Sequence, residues 1–155
     1  MLTLAVALML AGKLAFASGC PVEVHVHSSG ADLVAVSIKN VSTRDVVIPY
    51  DFLPWSMFGF GVNFSAEYKN SKQAIQPVFG SGHRLENILL KSNEKLIREI
   101  NLSKRFHGLA QELGPVAVKW SYSFVEAVPK DQYHCADFGG RFEIFGTRQN
   151  RVPEQ

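Results

Sequence analysis

The sequence lacks the features that define several large protein classes. It has only two cysteines, and its charged residues, 19% of the chain, comprise sixteen basic and fourteen acidic side chains with no Lys/Arg block. Nucleic-acid-binding domains usually carry clustered basic residues, so that electrostatic footprint is absent. Neither a G-x-S-x-G motif nor a phosphate-binding loop ending in Lys-Ser/Thr occurs. We therefore expect a protein with no enzymatic activity, no cofactor and no nucleic-acid partner.

The longest apolar run is too short to cross a membrane. It reads LTLAVALMLAG and ends before Lys13, whereas a spanning helix needs about 20 residues. Its length suits a signal peptide, and Ala15-Phe16-Ala17 fits the small-x-small cleavage pattern. We predict a signal peptide over residues 1–17, a single domain over 18–146 and a disordered tail over 147–155.

The leader and the cysteines together predict an oxidising compartment. A cleaved leader makes the protein periplasmic or secreted, where Cys20 and Cys135 are free to pair as a disulfide. An alternative is a lipoprotein anchored through Cys20, because ASGC resembles a bacterial lipobox. A lipid on Cys20 would exclude that disulfide.

Short alternating runs dominate the rest of the chain and predict strands. In PVEVHVH, three valines share one face, and PVAVKWSYSFV carries a large apolar face that includes Trp120. Residues 84–102 are ambiguous between a helix and two strands, and we favour strands NILL and KLIREINL because KSNEK between them reads as a turn. A short connecting helix is expected from Ser103 to Leu113, ended by Gly114-Pro115.

Seven to nine such strands, with turns about every ten residues, predict an all-β, two-sheet antiparallel sandwich. Three segments, VAVSIKNVSTRDVVIP, LLKSNEKLIREINL and VAVKWSYSF, resemble the immunoglobulin-like domains of bacterial exported proteins. In those domains a strand ends in an Asn-x-Ser/Thr turn, and an aromatic-rich strand comes near the end. The resemblance spans most of residues 22–145 and implies an immunoglobulin-like fold. The Cys–Trp–Cys arrangement of antibody domains is not matched.

One candidate metal site lies in the first strand. His25 and His27 are two residues apart, so on a strand both imidazoles point to the same face. His134 is a further potential ligand, but pairing Cys135 with Cys20 would place it near Cys20, about 17 Å along the strand from His25. We favour two solvent-facing histidines over a metal site.

The segment IPYDFLPWSMFGFG, residues 48–61, is the candidate partner-binding site. It holds five aromatics, but its two prolines exclude a continuous central strand. We expect Tyr50, Phe52 and Phe58 to cap the core, with Trp55, Met57 and Phe60 at an exposed tip. Aromatic and methionine side chains are enriched at protein interfaces. The candidate binding residues are Phe52, Trp55, Met57 and Phe60.

These patterns predict a non-catalytic, exported protein-binding module. Two alternatives stay open at this point. The first is an inhibitor or immunity protein that acts on an exported hydrolase, and the second is a metal-binding periplasmic module that uses His25 and His27.

Overall fold

The computed structural model describes residues 19–30, 32–57, 60–78, 80, 82–109, 114–126, 135 and 137–145. The predicted leader, residues 1–17, and the predicted tail, residues 147–155, lie outside these ranges. A search of the described ranges for a helix long and apolar enough to cross a membrane found none.

The described chain is built from β-strands with two short 3₁₀ turns. The turns cover Tyr50–Phe52 and Leu102–Lys104. The strands are β1 (Val22–Ser28), β2 (Leu33–Asn40), β3 (Val46–Pro49), β4 (Asn63–Tyr68), β5 (Ala74–Ile75), β6 (Asn87–Leu90), β7 (Lys95–Asn101), β8 (Pro115–Tyr122) and β9 (Phe138–Phe145).

The strands form three antiparallel sheets in the described part of the chain. Their orders are β1-β2-β7, β3-β6 and β5-β4-β8-β9. Alternate residues of a strand share a face, and the pairing of the strands places the apolar face of each in the core. Val34, Val36 and Ile38 of β2 are fully buried, as are Val116 and Val118 of β8. One apolar cluster contains residues from all three sheets. The all-β antiparallel fold is confirmed and agrees with a sandwich, while the immunoglobulin-like connectivity stays a prediction.

The ambiguous stretch 84–102 contains two strands, β6 and β7, which confirms the prediction of strands there. A turn joins them, in which the Glu94 N–H donates to the Lys91 carbonyl and the Glu94 carboxylate accepts the Lys91 N–H. Asn93 takes a positive φ of 62° in this turn, a conformation that asparagine tolerates better than most residues. Local turn chemistry therefore overrides the helix propensity of the flanking residues.

The predicted helix from Ser103 is wrong in its described part. Only the 3₁₀ turn Leu102–Lys104 forms, after which the Val78 N–H donates to the Arg105 carbonyl and the His107 N–H donates to the Gln76 carbonyl. These long-range bonds use backbone groups that a helix would need. The apolar stripe still reaches the core, because Phe106 and Leu109 are buried. Residues 110–113 lie outside the described ranges.

The predicted disulfide between Cys20 and Cys135 is present, with Cα atoms 4.7 Å apart and a sequence separation of 115. It joins the segment before β1 to the segment before β9. The Cys20 sulfur is thereby committed to this bond, which leaves no thiol for a lipid anchor in this form of the protein.

Candidate functional site

The described residues between β3 and β4, 50–57 and 60–62, form a chain of tight turns. Its first hydrogen bonds run from the Leu53 N–H to the Tyr50 carbonyl and from the Ser56 N–H to the Leu53 carbonyl. A longer closure joins the Val62 N–H to the Pro54 carbonyl. Leu53 is 2% exposed and fixes the segment to the core. Pro54 lies within this segment and lacks an N–H donor, which suits a turn, whereas Pro49 is the last residue of β3, where the ladder with β6 ends.

Two further contacts brace this segment. The Arg105 guanidinium donates to the carbonyls of Trp55 at 2.9 Å and Ser56 at 3.3 Å, and burial lowers the pKa of Arg105 below its usual value. At Gly61, a Cβ would lie 2.5 Å from the Ser56 carbonyl oxygen, so only glycine fits there. The aromatic residues are therefore held on a fixed backbone.

The four predicted binding residues differ in exposure. Met57 and Phe60 are 39% and 46% exposed. Phe52 is half-buried, its ring stacks on Phe60 at a centroid distance of 4.6 Å, and its carbonyl accepts the Tyr122 hydroxyl. Trp55 is half-buried rather than at an exposed tip, because its indole packs against the core. Phe58 lies outside the described residues.

A cleft of about 460 Å³ opens between this segment and β7. Tyr50, Trp55 and Met57 line one side, and residues 98–101 of β7 line the other. Its volume lies within the range of about 300–1,000 Å³ that is typical of ligand sites. We call it the β7 cleft.

Basic side chains dominate the charge of the β7 cleft. Arg84, Arg98, Lys104 and Arg105 line it, with Glu99 as the one acidic lining residue among those described. Within the described ranges, none of the four basic side chains forms a salt bridge with a carboxylate. The cleft therefore has a positive potential that its own described carboxylates do not neutralise.

Two of the arginines stand over aromatic rings. The Arg84 guanidinium carbon lies 4.5 Å from the centroid of the Tyr50 ring, and that of Arg98 lies 5.8 Å from the Trp55 ring, both within cation–π range. Buried Asp51 positions Arg84, because both of its carboxylate oxygens accept the Arg84 backbone N–H, at 3.1 and 3.2 Å. Aromatic and basic groups thus form one surface.

Two lining residues also hold unused hydrogen-bonding atoms. The indole Nε1 of Trp55 and the side-chain oxygen Oδ1 of Asn101 are buried and have no partner in the described part of the structure, and both residues line the β7 cleft. Buried polar atoms normally find partners, so two exceptions among the lining residues of one cleft are unusual.

The two histidines of β1 occupy the solvent side of their strand. His25 and His27 are exposed, whereas Val22 and Val24 on the opposite face are buried. The His25 Nε2 lies 3.8 Å from a Glu23 carboxylate oxygen. Among the described residues, no group of three or more His, Cys, Asp or Glu side chains is placed to hold a metal ion. Cys135 is in the disulfide, and His134 lies outside the described ranges.

Sequence reasoning missed the basic half of the cleft. Arg84, Arg98, Lys104 and Arg105 are scattered along the chain and form no block. One indication was available: Arg98 alternates in β7 with Leu96 and Ile100, which face the core. A charged residue that alternates with core-facing residues indicates that this face of the strand meets solvent at that position.

Comparison of the chain with protein-family models and with curated proteins finds no match.

Proposed function

We propose that the protein is a non-catalytic, immunoglobulin-like binding module of an oxidising, extracytoplasmic compartment, and that it recognises another protein. The observation that carries the proposal is a turn segment that exposes both Met57 and Phe60, with Met57 also lining the basic, aromatic β7 cleft. We call Met57 and Phe60 the apolar rim.

The chemistry of this surface favours a protein partner. Aromatic residues, methionine and arginine are the side chains enriched in protein interfaces, whereas most charged residues are depleted there. The ordered backbone of the turn segment also favours binding, because a surface that is already ordered loses less conformational entropy when a partner binds. Arg105 and Gly61 provide that order.

The disulfide supports the proposed compartment. Disulfides persist in oxidising environments such as the periplasm or the exterior of the cell, and thiols are kept reduced in the cytosol. The Cys20–Cys135 bond joins the two ends of the domain, which fits a chain that matures after export.

The test is capture followed by purified binding. The mature, disulfide-bonded chain is immobilised and exposed to periplasmic and secreted extracts, and each captured protein is then purified and titrated by calorimetry. The site variant is Met57→Asp/Phe60→Asp. Trp55 is left intact because it is half-buried and its loss would also perturb folding.

The matched control is Leu89→Asp/Phe145→Asp. These two apolar residues are exposed, at 52% and 66%, and lie on β6 and β9 rather than at the apolar rim. We expect the site variant to lose binding and the control to retain it, with both folded by circular dichroism. Equal binding by both variants, or no partner for the wild type, contradicts the proposal.

A more specific form of the same proposal is an inhibitor of an exported hydrolase. The hydrogen-bonded turns of residues 53–57 and 60–62 favour it, because a loop that is already ordered can occupy an enzyme's groove at low entropic cost. A panel of exported proteases and cell-wall hydrolases is titrated with the chain. Loss of activity at a stoichiometric ratio supports inhibition, and unchanged activity across the panel rejects this form while leaving the binding module.

A further inference from the structure

Strand β7 carries an open row of backbone hydrogen-bonding groups. It lies at one edge of the β1-β2-β7 sheet in the described part of the chain. The bonds from the Asn40 N–H to the Glu94 carbonyl and from the Leu102 N–H to the Asp32 carbonyl fix the phase of the ladder. In an antiparallel pair, alternate residues bond the neighbouring strand. Residues 96, 98 and 100 therefore bond β2, and 95, 97, 99 and 101 direct their backbone groups outward.

The open edge borders the β7 cleft. Residues 98–101 belong both to the edge strand and to the cleft lining. A segment that paired with β7 would point alternate side chains into the cleft, toward Tyr50 and Trp55. The strand is seven residues long, so the edge suits an extended segment of similar length.

The charge of the cleft selects the chemistry of that segment. Four basic side chains face it against one acidic one in the described lining. A second copy of this chain, paired through β7, would bring two basic clefts together, which opposes self-association. Acidic side chains at alternate positions would instead meet Arg98 and its basic neighbours.

We propose that the β7 edge and the β7 cleft bind an extended acidic segment of the partner protein, which adds to the sheet as a fourth strand. This inference rests on the proposed binding function and specifies its partner. Main-chain hydrogen bonds to β7 supply affinity, and the basic, aromatic cleft supplies selectivity, as in other cases of strand addition.

The first arm of the test uses defined peptides. An array of fluorescein-labelled octapeptides, in which Glu or Asp alternates with Val, Ile, Thr or Tyr, is titrated with the full, disulfide-bonded chain by fluorescence anisotropy. Each acidic peptide has two counterparts: one with Lys at the acidic positions, and one N-methylated at alternate residues. We expect at least one acidic peptide to bind and both of its counterparts to bind roughly tenfold or more weakly.

The second arm uses variants of the edge. Ile97→Pro removes one outward N–H without touching the bonds to β2, and Ile97→Ala keeps that N–H while shortening the same exposed side chain. Peptide binding should be lost in Ile97→Pro and kept in Ile97→Ala, with circular dichroism establishing that both fold. Arg98→Ala should weaken acidic peptides only. If Ile97→Pro does not fold, the N-methylated peptides decide the question.

Several outcomes overturn the inference. The first is that no acidic peptide binds, and the second is that the Lys or N-methylated counterparts bind equally well. The third is a dimer, detected by sedimentation, that Ile97→Pro abolishes. The proposed binding function is tested separately, by whether the Met57→Asp/Phe60→Asp variant loses binding to a captured partner. If a partner is captured through the apolar rim but no peptide of the array binds, the strand-addition inference is rejected and the proposed binding function stands.

Discussion

At the scale of single residues, Asn40 shows how a buried polar side chain joins separate parts of the fold. Its side chain is 0% exposed. The amide nitrogen donates to the carbonyls of Arg44 at 2.7 Å and Leu90 at 3.0 Å, and the amide oxygen accepts both the N–H and the hydroxyl of Ser42. One amide thus closes the turn after β2 and ties that turn to β6. The Asn-x-Ser pattern in the sequence has a structural role here.

Replacing Asn40 should destabilise the domain. Asn40→Ala leaves the Leu90 carbonyl and the turn without their partners, so we expect a loss of about 1–3 kcal/mol in the free energy of unfolding. Urea denaturation of the disulfide-bonded chain measures it. Asn63→Ala, at an exposed position of β4, is the matched control and should stay within about 0.5 kcal/mol of the wild type. Equal effects at the two sites would contradict the assigned role.

Tyr122 links β8 to the aromatic segment and makes stability depend on alkaline pH. Its ring is 1% exposed and its hydroxyl donates to the Phe52 carbonyl at 2.7 Å. Burial raises the pKa of Tyr122 well above its usual range. The folded state therefore keeps its proton at a pH where the unfolded chain, with a tyrosine pKa of about 10, loses it. The stabilisation that the protonated Tyr122 hydroxyl contributes to the folded state is complete below about pH 10 and declines as the pH rises above it.

We therefore expect the wild type to lose more stability than Tyr122→Phe as the pH rises above about 10. At neutral pH the same substitution should cost about 0.5–1.5 kcal/mol through the lost hydrogen bond. Thermal unfolding from neutral to alkaline pH gives both quantities. Parallel pH profiles for the two proteins would show that another group governs the alkaline transition.

At the scale of strands and turns, period-2 alternation was sufficient to predict the main strands. The buried face of β8 emerged as predicted, with Val116, Val118 and Tyr122 inside. The helix after Ser103 was predicted wrongly because its local spacing is helical, while the bonds that decide its backbone come from residues 76–78. Sequence spacing does not show which distant strands pair. The neighbours β2–β7 and β4–β8 could therefore not be predicted.

Strands β8 and β9 include a close contact between a large side chain, that of Trp120, and a glycine, Gly140, on the opposite strand. Trp120 is the register partner of Gly140. A Cβ at Gly140 would lie 2.8 Å from the Trp120 indole nitrogen and 3.2 Å from the adjacent ring carbon Cε2. The indole therefore covers the glycine, an arrangement that stabilises glycine-containing strands.

Gly140→Ala should destabilise the protein by about 1–3 kcal/mol, because the rigid ring or β9 must shift to accommodate the methyl group. Trp120→Phe shortens the ring and makes room, so the double variant should be more stable than the sum of the single effects predicts. A double-mutant cycle by urea denaturation measures this coupling. Additive effects would mean that the ring and the glycine do not contact each other in solution.

At the scale of the whole molecule, the candidate site combines segments that the sequence keeps apart. The aromatic residues of segment 50–57 are close together in the sequence, but Arg84, Arg98 and Lys104 come from other segments and meet them only in the fold. The chain has a net charge of only +2, so its overall composition conceals a local concentration of positive charge. The aromatic half of the site was predictable from the sequence, whereas the basic half required the topology.

The disulfide and the β7 cleft lie toward opposite ends of β2. Val22, next to the disulfide, pairs with Asn40 at one end of β2, and Asn101, in the cleft lining, pairs with Leu33 at the other end. The bond closes a loop of 115 residues, which in the chain-entropy model corresponds to about 4–5 kcal/mol as an upper figure. Stability and binding should therefore respond separately to its removal.

We expect Cys20→Ser/Cys135→Ser to lower the free energy of unfolding by about 2–5 kcal/mol. At a temperature where this variant is still folded, its affinity for a captured partner or an acidic peptide should equal that of the wild type, because the cleft does not contact the disulfide. Urea denaturation and calorimetry measure the two quantities, with reduced wild-type chain as the control. Unchanged stability would show that the bond does not constrain the unfolded chain. A loss of affinity with the fold intact would instead show that the two ends of β2 are coupled.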